Sequence, residues 1–310
     1  MFDRIAVGTM NFGKRTPEAE ARSIVARAIE RGLTTFDTAN AYVDGESERI
    51  LGRALAGRRE SCKIATKVGF GRIAGKPEGL SPARVLQSID ESLARLGTDW
   101  VDIYYLHVPD YATPIEATLE AMARVLESKK ARAWGISNYA SWQVLEMNVI
   151  ADRAGMPRPV IAQQMYNLLV RQLDIEWFKF TARHPIHTTV YNPLAGGLLS
   201  GKHERDGSTA GGSRFDSNKL YRNRYWSDAF FDATERYAAI AAKAGMSLVD
   251  LAYAWLAQRK GVGSILVGPA TVAHLDAAID ACALELDEDT RRAIDAAHFA
   301  VAGTDASYAR

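Results

Sequence analysis

The amino-acid sequence predicts an α/β protein built as a single (β/α)8 barrel, also called a TIM barrel. Short apolar runs alternate with amphipathic helical stretches eight times along the chain. The apolar runs are continuous, which is typical of parallel strands that helices cover on the outer face. No linker divides the 310 residues, a length that suits one large barrel with insertions. We therefore expect one domain over residues 1–310; an open doubly wound sheet is the alternative.

Each predicted strand is a short apolar run between turn signals. The eight strands are Ile5–Val7, Thr34–Phe36, Lys63–Thr66, Val101–Leu106, Arg132–Ile136, Val160–Gln163, Thr188–Tyr191 and Ser264–Val267. Helical spacing of apolar residues predicts the helices Pro17–Arg31, Glu46–Leu55, Pro82–Leu96, Ile115–Leu126, Trp142–Ala154, Leu173–Arg183, Thr271–Cys282 and Asp287–Ala297.

Two long segments fall outside this alternation. The stretch 192–227 after strand seven is predicted to be an irregular loop, and long loops in compact domains are usually functional. A tail, Phe299 to Arg310, follows the C-terminal helix.

Composition excludes several classes of protein. Apolar residues make up 47% and charged residues 24% of the chain, and 38 Lys+Arg against 37 Asp+Glu leave a net charge of +1. Such a balance argues against a nucleic-acid binder. No apolar run reaches the roughly 18 residues of a membrane span, and no secretory signal opens the chain. Cys62 and Cys282 match no disulfide framework or metal site, so we expect a cytoplasmic enzyme acting on a small molecule, without a metal.

Two glycine-rich segments resemble nucleotide-binding loops only superficially. Gly69, Gly71 and Gly75 have the wrong spacing for a dinucleotide fingerprint, and no helix follows them. The run 196–202 fits the pattern G-x-x-x-x-G-K, but His203 replaces the hydroxyl residue that would bind magnesium. An ATPase or kinase is therefore a weak rival, although a glycine-rich loop after strand seven could still approach a phosphate.

Four side chains able to transfer protons follow successive predicted strands. Asp37 and Tyr42 follow strand two, and Lys67 and His107 end strands three and four. In a barrel these strand ends share one mouth, where the chemistry takes place. A nearby ammonium is expected to lower the pKa of a tyrosine from about 10, and Asp37 could orient Lys67. Together they could protonate an alkoxide, with His107 hydrogen-bonding the carbonyl oxygen and an external cofactor supplying hydride.

Around these residues the sequence resembles the aldo-keto reductase superfamily. The resemblance extends from about residue 2 to residue 310 and its motifs occur in the family's order. The segments that carry it are Gly8–Gly13, Phe36–Tyr42, Ala65–Lys67, Tyr105–Asp110, Gly135–Asn138, Gln163–Asn167 and Tyr191–Gly197.

The resemblance implies reversible reduction of aldehydes or ketones by NAD(P)H. Tyr42 would be the general acid, tuned by Lys67 and Asp37, and His107 would orient the carbonyl in the substrate site. The residues implied to bind the cofactor are Gly8, Thr9, Met10, Asp37, Ser137, Asn138, Gln163, Tyr191, Asn192, Pro193, Leu194, Gly196, Lys202, Arg214, Gly268, Ala270 and His274.

A narrower resemblance points to the aflatoxin-aldehyde / succinic-semialdehyde reductase branch. The runs 165–167, 191–202 and 221–226 carry it, and that branch also ends in an arginine. By this resemblance Arg224 and Arg310 would bind anionic substrates, which favours aldehydes that bear a carboxylate.

The sequence departs from the family pattern in two places. Many relatives carry a cation after strand eight for the 2′-phosphate of NADPH, but 261–290 contains no Lys or Arg, and Ala278 replaces the asparagine that contacts adenine. We expect NADPH, with NADH possible and with Arg214 or His274 compensating for the missing cation. The N-terminal hairpin that often closes the barrel is largely absent, which should affect stability more than chemistry.

Two further readings of the resemblance stay open. Potassium-channel β subunits share the fold and bind the cofactor as regulatory partners, and sugar or polyol oxidoreductases are rivals within the same class. A small-molecule carbonyl is the expected partner, with no nucleic acid and no membrane, and the protein is expected to be a monomer or homodimer.

Overall fold

A computed structural model of the chain, which describes residues 2–206, 213–216 and 218–302, contains a closed barrel of eight parallel strands. This confirms the predicted fold class. The barrel strands, labelled β1 to β8, are Ile5–Gly8, Thr35–Asp37, Lys63–Val68, Val101–Leu106, Ala131–Ser137, Ile161–Met165, His187–Tyr191 and Ser264–Val267.

The order of the strands follows the sequence, and the last strand closes the barrel against the first. Val7 in β1 pairs with Phe36 in β2 on one side and with Val267 in β8 on the other. Since all eight strands are parallel, their carboxyl ends form a single rim, the mouth.

Helices cover the outside of the barrel. Labelled α1 to α11, they are Glu18–Glu30, Glu46–Ala54, Pro82–Leu96, Ile115–Glu127, Ser141–Ala154, Trp177–Arg183, Lys219–Tyr225, Asp228–Lys243, Leu248–Gln258, Val272–Cys282 and Glu288–Ala302. Helix α3 is capped at both ends: Ser81 accepts a hydrogen bond from the Arg84 N–H, and Gly97 is left-handed at its end.

The structure differs from the sequence prediction beyond β7. The segment predicted to be irregular contains α7, which begins where the Asn218 side chain accepts a hydrogen bond from the Tyr221 N–H. Helices α8 and α9, which were not predicted, lead to β8. Helix α11 continues to residue 302, into the predicted tail, and a short hairpin pairs 72–73 with 76–77.

Among the described residues no single helix is long and apolar enough to cross a membrane. Helices α8 and α9 meet that test of length and composition only as a pair, bent by 90° at their junction.

Phe2 packs at the end of the barrel opposite the mouth. It contacts a buried cluster that includes Ile103 and Tyr105, and its ring centroid lies 4.4 Å from that of His187. His187 Nε2 lies 2.7 Å from the Ser264 hydroxyl oxygen. A side chain from the first residues thus packs against the base of the barrel.

The unfolding free energy is expected to depend on pH through His187. Burial lowers the pKa of His187 from 6.5 to about 4. As the pH falls from 6.5 towards 4, the unfolded chain takes up a proton that the native state does not, so native stability is lost. For one fully buried histidine the unfolding free energy changes by at most about 1.4 kcal/mol per pH unit. The change is smaller here because the ring is partly exposed.

Urea titrations at several pH values test this expectation. His187→Gln keeps a hydrogen-bonding side chain but cannot titrate, so its unfolding free energy should depend less on pH over this range than that of the wild type. Parallel pH profiles for the two proteins would contradict the assignment.

Candidate active site at the mouth of the barrel

Lys67 is the central charge of the barrel. It lies one residue before the end of strand β3 with a side chain that is fully buried, and its ammonium forms an ion pair with Asp37 from the neighbouring strand β2. It also donates to the Thr38 carbonyl at 2.7 Å. Burial lowers the pKa of Lys67, and the carboxylates of Asp37 and Glu48 act in the opposite direction. A buried charge of this kind persists because it is paired and hydrogen-bonded.

Asp37 is held from two sides. One carboxylate oxygen accepts from Lys67, and the other accepts from Gln163 Nε2 at 2.9 Å. Gln163 lies on β6, across the barrel from β2, so this hydrogen bond connects strands that are not neighbours. The orientation of Lys67 is therefore set by several strands together.

Tyr42 lies on a short 3₁₀ turn, 42–45, that follows β2. The Lys67 Nζ atom lies 5.2 Å from the centroid of its ring. Burial first, and then the charge of Asp37, raise the pKa of Tyr42 well above 10. The net lowering of the Tyr42 pKa that the sequence predicts is therefore not found, because burial outweighs the effect of the Lys67 ammonium, which is already paired with Asp37. The phenol remains protonated.

His107 directly follows β4 and faces Tyr42. The two ring centroids are 5.9 Å apart with the rings nearly perpendicular, and the exposed Phe70 ring lies 5.1 Å from His107 on another side. Burial and the charge of Lys67 lower the pKa of His107 well below 6.5, so the imidazole is neutral. Its Nδ1 atom is buried and has no hydrogen-bond partner within the described residues.

A second polar network lies at the ends of β5 to β7. Asn138 Nδ2 donates to the His107 carbonyl at 2.9 Å, and Asn138 Oδ1 accepts from the Tyr191 hydroxyl at 2.5 Å. The Ser137 hydroxyl donates to the Gln163 carbonyl at 2.9 Å. The structure thus brings together the residues that the resemblance associates with nicotinamide.

Strained backbone is concentrated at the same rim. Val43 and Asp44 adopt positive φ angles of 51° and 50° directly after Tyr42, and Asn138, Asn192 and Ala195 have φ of 66°, 57° and 48°. Left-handed backbone is unfavourable for residues other than glycine, most of all for a β-branched valine. Its occurrence at several strand ends of one face points to a functional surface.

The loop after β7 provides a small-residue turn. The φ angles of Gly196 and Gly197 are 73° and 116°, and a Cβ atom on Gly196 would lie 2.6 Å from the Tyr221 ring. Side chains at these two positions would be strained, so glycine leaves the backbone there without a side chain. Pro193 and the partly exposed Leu194 lead into this turn, and Lys202 lies exposed just beyond it.

Arg214 connects the loop after β7 with the loop after β8. One guanidinium nitrogen lies 3.3 Å from Asn192 Oδ1 and 3.4 Å from the Tyr221 hydroxyl. A Cβ atom on Gly268 would lie 2.9 Å from Arg214 Nη2. Burial lowers the pKa of His274 and the charge of Lys202 lowers it further, so these two basic groups also lie near one another. Basic side chains from the loop after β7 thus lie near the loop after β8, which contains no Lys or Arg.

Sequence analysis missed Arg15, which lies in the loop after β1. Its Nη2 donates to Asn11 Oδ1 at 2.5 Å, and Asn11 Nδ2 donates to the Gly268 carbonyl at 3.2 Å. Burial and the charge of Arg214 lower the pKa of Arg15 to about 10. Two arginines therefore face each other at the β8 loop. A basic residue shortly after β1 was the available signal, because β1 and β8 are neighbours in a closed barrel.

The other predicted residues are placed less directly. Gly8 ends β1, where a Cβ atom would lie 3.3 Å from Leu266, and Met10 is half-buried. The Thr9 hydroxyl is fully buried and lies 2.7 Å from the Ser47 hydroxyl, so it fixes the loop rather than facing the mouth. The carbonyl of Ala270 accepts from the Thr16 hydroxyl.

Arg224 lies on α7, half-buried, with its guanidinium carbon 5.9 Å from the Tyr221 ring centroid. Its charge lowers the pKa of Tyr191, against the larger opposing effect of burial, which places it beside the nicotinamide-type network. It forms no ion pair with any residue in the described ranges. Arg310, its predicted partner, lies outside the described residues.

The structure has a parallel barrel with a buried lysine–aspartate pair at its mouth, which are the features that the sequence resemblance to aldo-keto reductases leads us to expect. Comparison with known families identifies the same family. Residues 4–298 match the Aldo/keto reductase family. The chain belongs to this family.

Individual relatives span two kinds of protein. The chain is 39% identical over 235 residues to aflatoxin B1 aldehyde reductase member 2 of Homo sapiens, which covers 73% of this chain and 64% of that protein. It is 34% identical over 265 residues to a probable voltage-gated potassium channel subunit beta of Arabidopsis thaliana, covering 84% and 80%. Aldo-keto reductase family 7 member A3 of Homo sapiens is 35% identical over 231 residues, covering 73% and 70%.

Proposed function

We propose that this protein reduces aldehydes or ketones to alcohols with NAD(P)H. The observation that carries the proposal is the buried Lys67–Asp37 pair at the mouth, with Tyr42 and His107 beside it. A paired ammonium that is fully buried at the open end of a barrel serves no evident packing purpose. The similarity to reductases that act on aldehydes supports the same conclusion.

The residues present fit a bound dinucleotide. Arg15 and Arg214 repel one another across the β8 loop, and an anion between them would relieve that repulsion. The bare turn at 196–197 leaves room for a phosphate to approach the backbone. We assign the phosphate path to this turn with Lys202, and nicotinamide to Asn138, Ser137, Gln163 and Tyr191.

The cofactor, when bound, supplies the hydride. The neutral His107 imidazole donates a hydrogen bond to the substrate carbonyl oxygen and polarises it. Tyr42, which remains protonated, donates its phenolic proton to the same oxygen as negative charge develops there. The Lys67 ammonium stabilises the resulting phenolate, and Asp37 holds that ammonium in place.

Cofactor preference is expected to depend on the two facing arginines. Wild-type protein should bind NADPH more tightly than NADH, because the 2′-phosphate provides an additional anion for Arg15 and Arg214. Arg15→Met or Arg214→Met should weaken NADPH binding by about 10–100-fold and NADH binding less, as a charge-assisted hydrogen bond contributes about 1–3 kcal/mol. Fluorescence titrations at matched ionic strength measure both constants.

Arg205→Met is the matched control for this experiment. Arg205 also lies after β7, but it pairs with Asp232 and Glu235 away from Gly268, so both affinities should stay unchanged. Equal or tighter binding of NADH by the wild type would overturn the preference.

Substrate charge is expected to matter at Arg224. Its guanidinium can hold a carboxylate bidentately, so 4-oxobutanoate should have a lower KM than its methyl ester. Arg224→Ala should raise KM for the acid about tenfold and leave the ester nearly unchanged, the pattern of a lost ground-state contact. If Arg224→Ala impairs turnover of the acid and of the ester equally, Arg224 contributes to a general lid and not to an anion site. Arg310, which we also assign to the anion site, is tested in the same way.

A regulatory protein that binds the cofactor is the second candidate, because the plant relative is named a channel subunit. A panel of simple aldehydes with saturating NADPH separates the two. A reductase turns over continuously, whereas a pure sensor binds cofactor and releases little product.

A further inference from the structure

His203 is a buried histidine that has no role in the reaction proposed above. It directly follows Lys202 in the loop after β7, and only 8% of its surface is exposed. Both imidazole nitrogens are buried and lack a hydrogen-bond partner among the residues that the structure describes. Buried polar atoms are normally hydrogen-bonded, because an unpaired one loses its hydration without compensation. The imidazole therefore calls for a partner from outside the described chain.

Aromatic rings hold the imidazole in one orientation. Its ring centroid lies 5.0 Å from that of Phe215, with the rings nearly perpendicular, and 6.0 Å from that of Trp226. Phe215 is fully buried and its carbonyl accepts from Arg222 at 3.1 Å, while the Arg222 guanidinium carbon lies 4.7 Å from the Trp226 ring centroid. A ring held in this way loses little conformational freedom when one of its nitrogens binds a ligand.

The imidazole faces the glycine turn after β7. A Cβ atom on Gly197 would lie 3.5 Å from His203 Nε2, and no other atom of the described residues comes within 4 Å of that position, apart from the adjacent residues of the chain. At Gly196, by contrast, the rings of Tyr221 and Phe215 occupy the corresponding space. Room for a ligand atom thus exists beside Gly197, and His203 Nε2 borders it.

Positive charge is concentrated beside this space. Burial lowers the pKa of His203 below 6.5, and the charge of Lys202 lowers it further, against the opposite effect of Asp216. Burial and then Lys202 lower the pKa of His274 as well, so Lys202 lies near both histidines. His203 is therefore neutral at pH 7 while the site is empty, and a bound anion favours its protonated form.

The other charged groups around His203 have partners of their own or face solvent. Arg222 interacts with the Phe215 carbonyl and the Trp226 ring, as described above. Arg205 pairs with Asp232 and Glu235 of α8. Glu204, the next residue along the chain, is exposed. An anion at the turn is thus the group that complements Lys202 and His203 together.

We propose that His203 donates a hydrogen bond to the pyrophosphate of the bound dinucleotide and takes up a proton as the dinucleotide binds. The inference rests on the proposed function, because it requires that the turn at 196–197 is the phosphate path. The proton moves from the buffer to the imidazole, which is neutral in the empty site. Since the bound state holds more protons than the free state, the affinity for the dinucleotide increases as the pH falls from about 8 to about 6.

Calorimetric titration of the full chain with NADH tests the proton uptake. NADH carries the pyrophosphate but no 2′-phosphate, whose own titration near neutral pH would add to the signal. Titrations near pH 6.5 in two buffers of different ionisation enthalpy give the number of protons taken up. We expect about half a proton per NADH for the wild type and none for His203→Gln, whose amide can donate a hydrogen bond but cannot titrate.

His203→Phe separates ligand binding from packing. Phenylalanine preserves the contacts with Phe215 and Trp226 but has no hydrogen-bond donor. At about pH 6 we expect it to bind NADH about thirtyfold more weakly than the wild type, as for a lost charge-assisted hydrogen bond. NADPH should weaken by the same factor, because both dinucleotides carry the pyrophosphate, whereas Arg15→Met and Arg214→Met should weaken NADPH more. Circular dichroism verifies that each variant is folded.

His187→Gln is the matched control, because His187 is a partly buried histidine at the opposite end of the barrel. It should leave proton uptake and affinity unchanged. Wild-type affinity in His203→Phe, NADH binding to the wild type without proton uptake, or loss of the uptake in His274→Gln and not in His203→Gln would overturn this inference and leave the proposed reaction standing. A wild type that binds neither NADH nor NADPH would overturn both.

Discussion

Tyr42→Phe is expected to lower kcat by about 10²–10⁴-fold while the dinucleotide still binds. The substitution removes only the phenolic oxygen, and the ring remains against His107 and the Lys67 ammonium. A phenol with a raised pKa is fully protonated at neutral pH and so is available as an acid. Steady-state rates and a cofactor titration on the same preparation provide both numbers.

Tyr139→Phe is the control for this variant. The Tyr139 hydroxyl donates to the Val108 carbonyl at 3.1 Å, so its loss removes a tyrosine hydroxyl near the mouth but outside the proposed proton path. Its kcat should stay within a fewfold of wild type. A near-normal kcat for Tyr42→Phe would remove Tyr42 from the proposed role.

Lys67→Met is expected to reduce both stability and turnover. It leaves the buried Asp37 carboxylate without its cation, and breaking a buried pair costs about 3–5 kcal/mol of unfolding free energy. Turnover should fall as well, because no cation remains to stabilise the Tyr42 phenolate. Chemical denaturation and kcat are measured together.

The double variant Asp37→Asn/Lys67→Met separates the two effects. Removing both charges should recover much of the stability, since no unpaired charge remains buried, whereas turnover should stay low. A double variant with restored turnover would show that the charge pair only supports the fold.

The barrel could be predicted from sequence because its signals are local. Continuous apolar runs in the strands, and the Ser81, Pro82 and Gly97 signals of α3, reflect short-range chemistry. Helix α7 was missed, because glycines precede it in a loop and its start depends on one Asn218 cap. The β8 closure that brings Arg15 to Arg214 involves residues about 200 apart in sequence, which no local pattern encodes.

The candidate site likewise has some features that could be predicted from sequence and others that only the three-dimensional structure shows. Asp37, Lys67 and His107 could be placed together because parallel strand ends share one rim. The direction of the Tyr42 pKa could not be predicted, since it depends on how deeply the hydroxyl is buried and on where the ammonium lies relative to the ring. The hydrogen bond from Gln163 to Asp37 crosses the barrel and likewise required the three-dimensional structure.

The most direct test of the central claim follows deuterium from the cofactor to the product. NADPH deuterated at the transferring position is incubated with 4-oxobutanoate and the wild-type protein, and the alcohol is analysed by mass spectrometry. We predict one deuterium in the alcohol for each cofactor oxidised, at a rate that Tyr42→Phe lowers at least a hundredfold. Tight cofactor binding without deuterated alcohol from this or any other carbonyl would contradict the account.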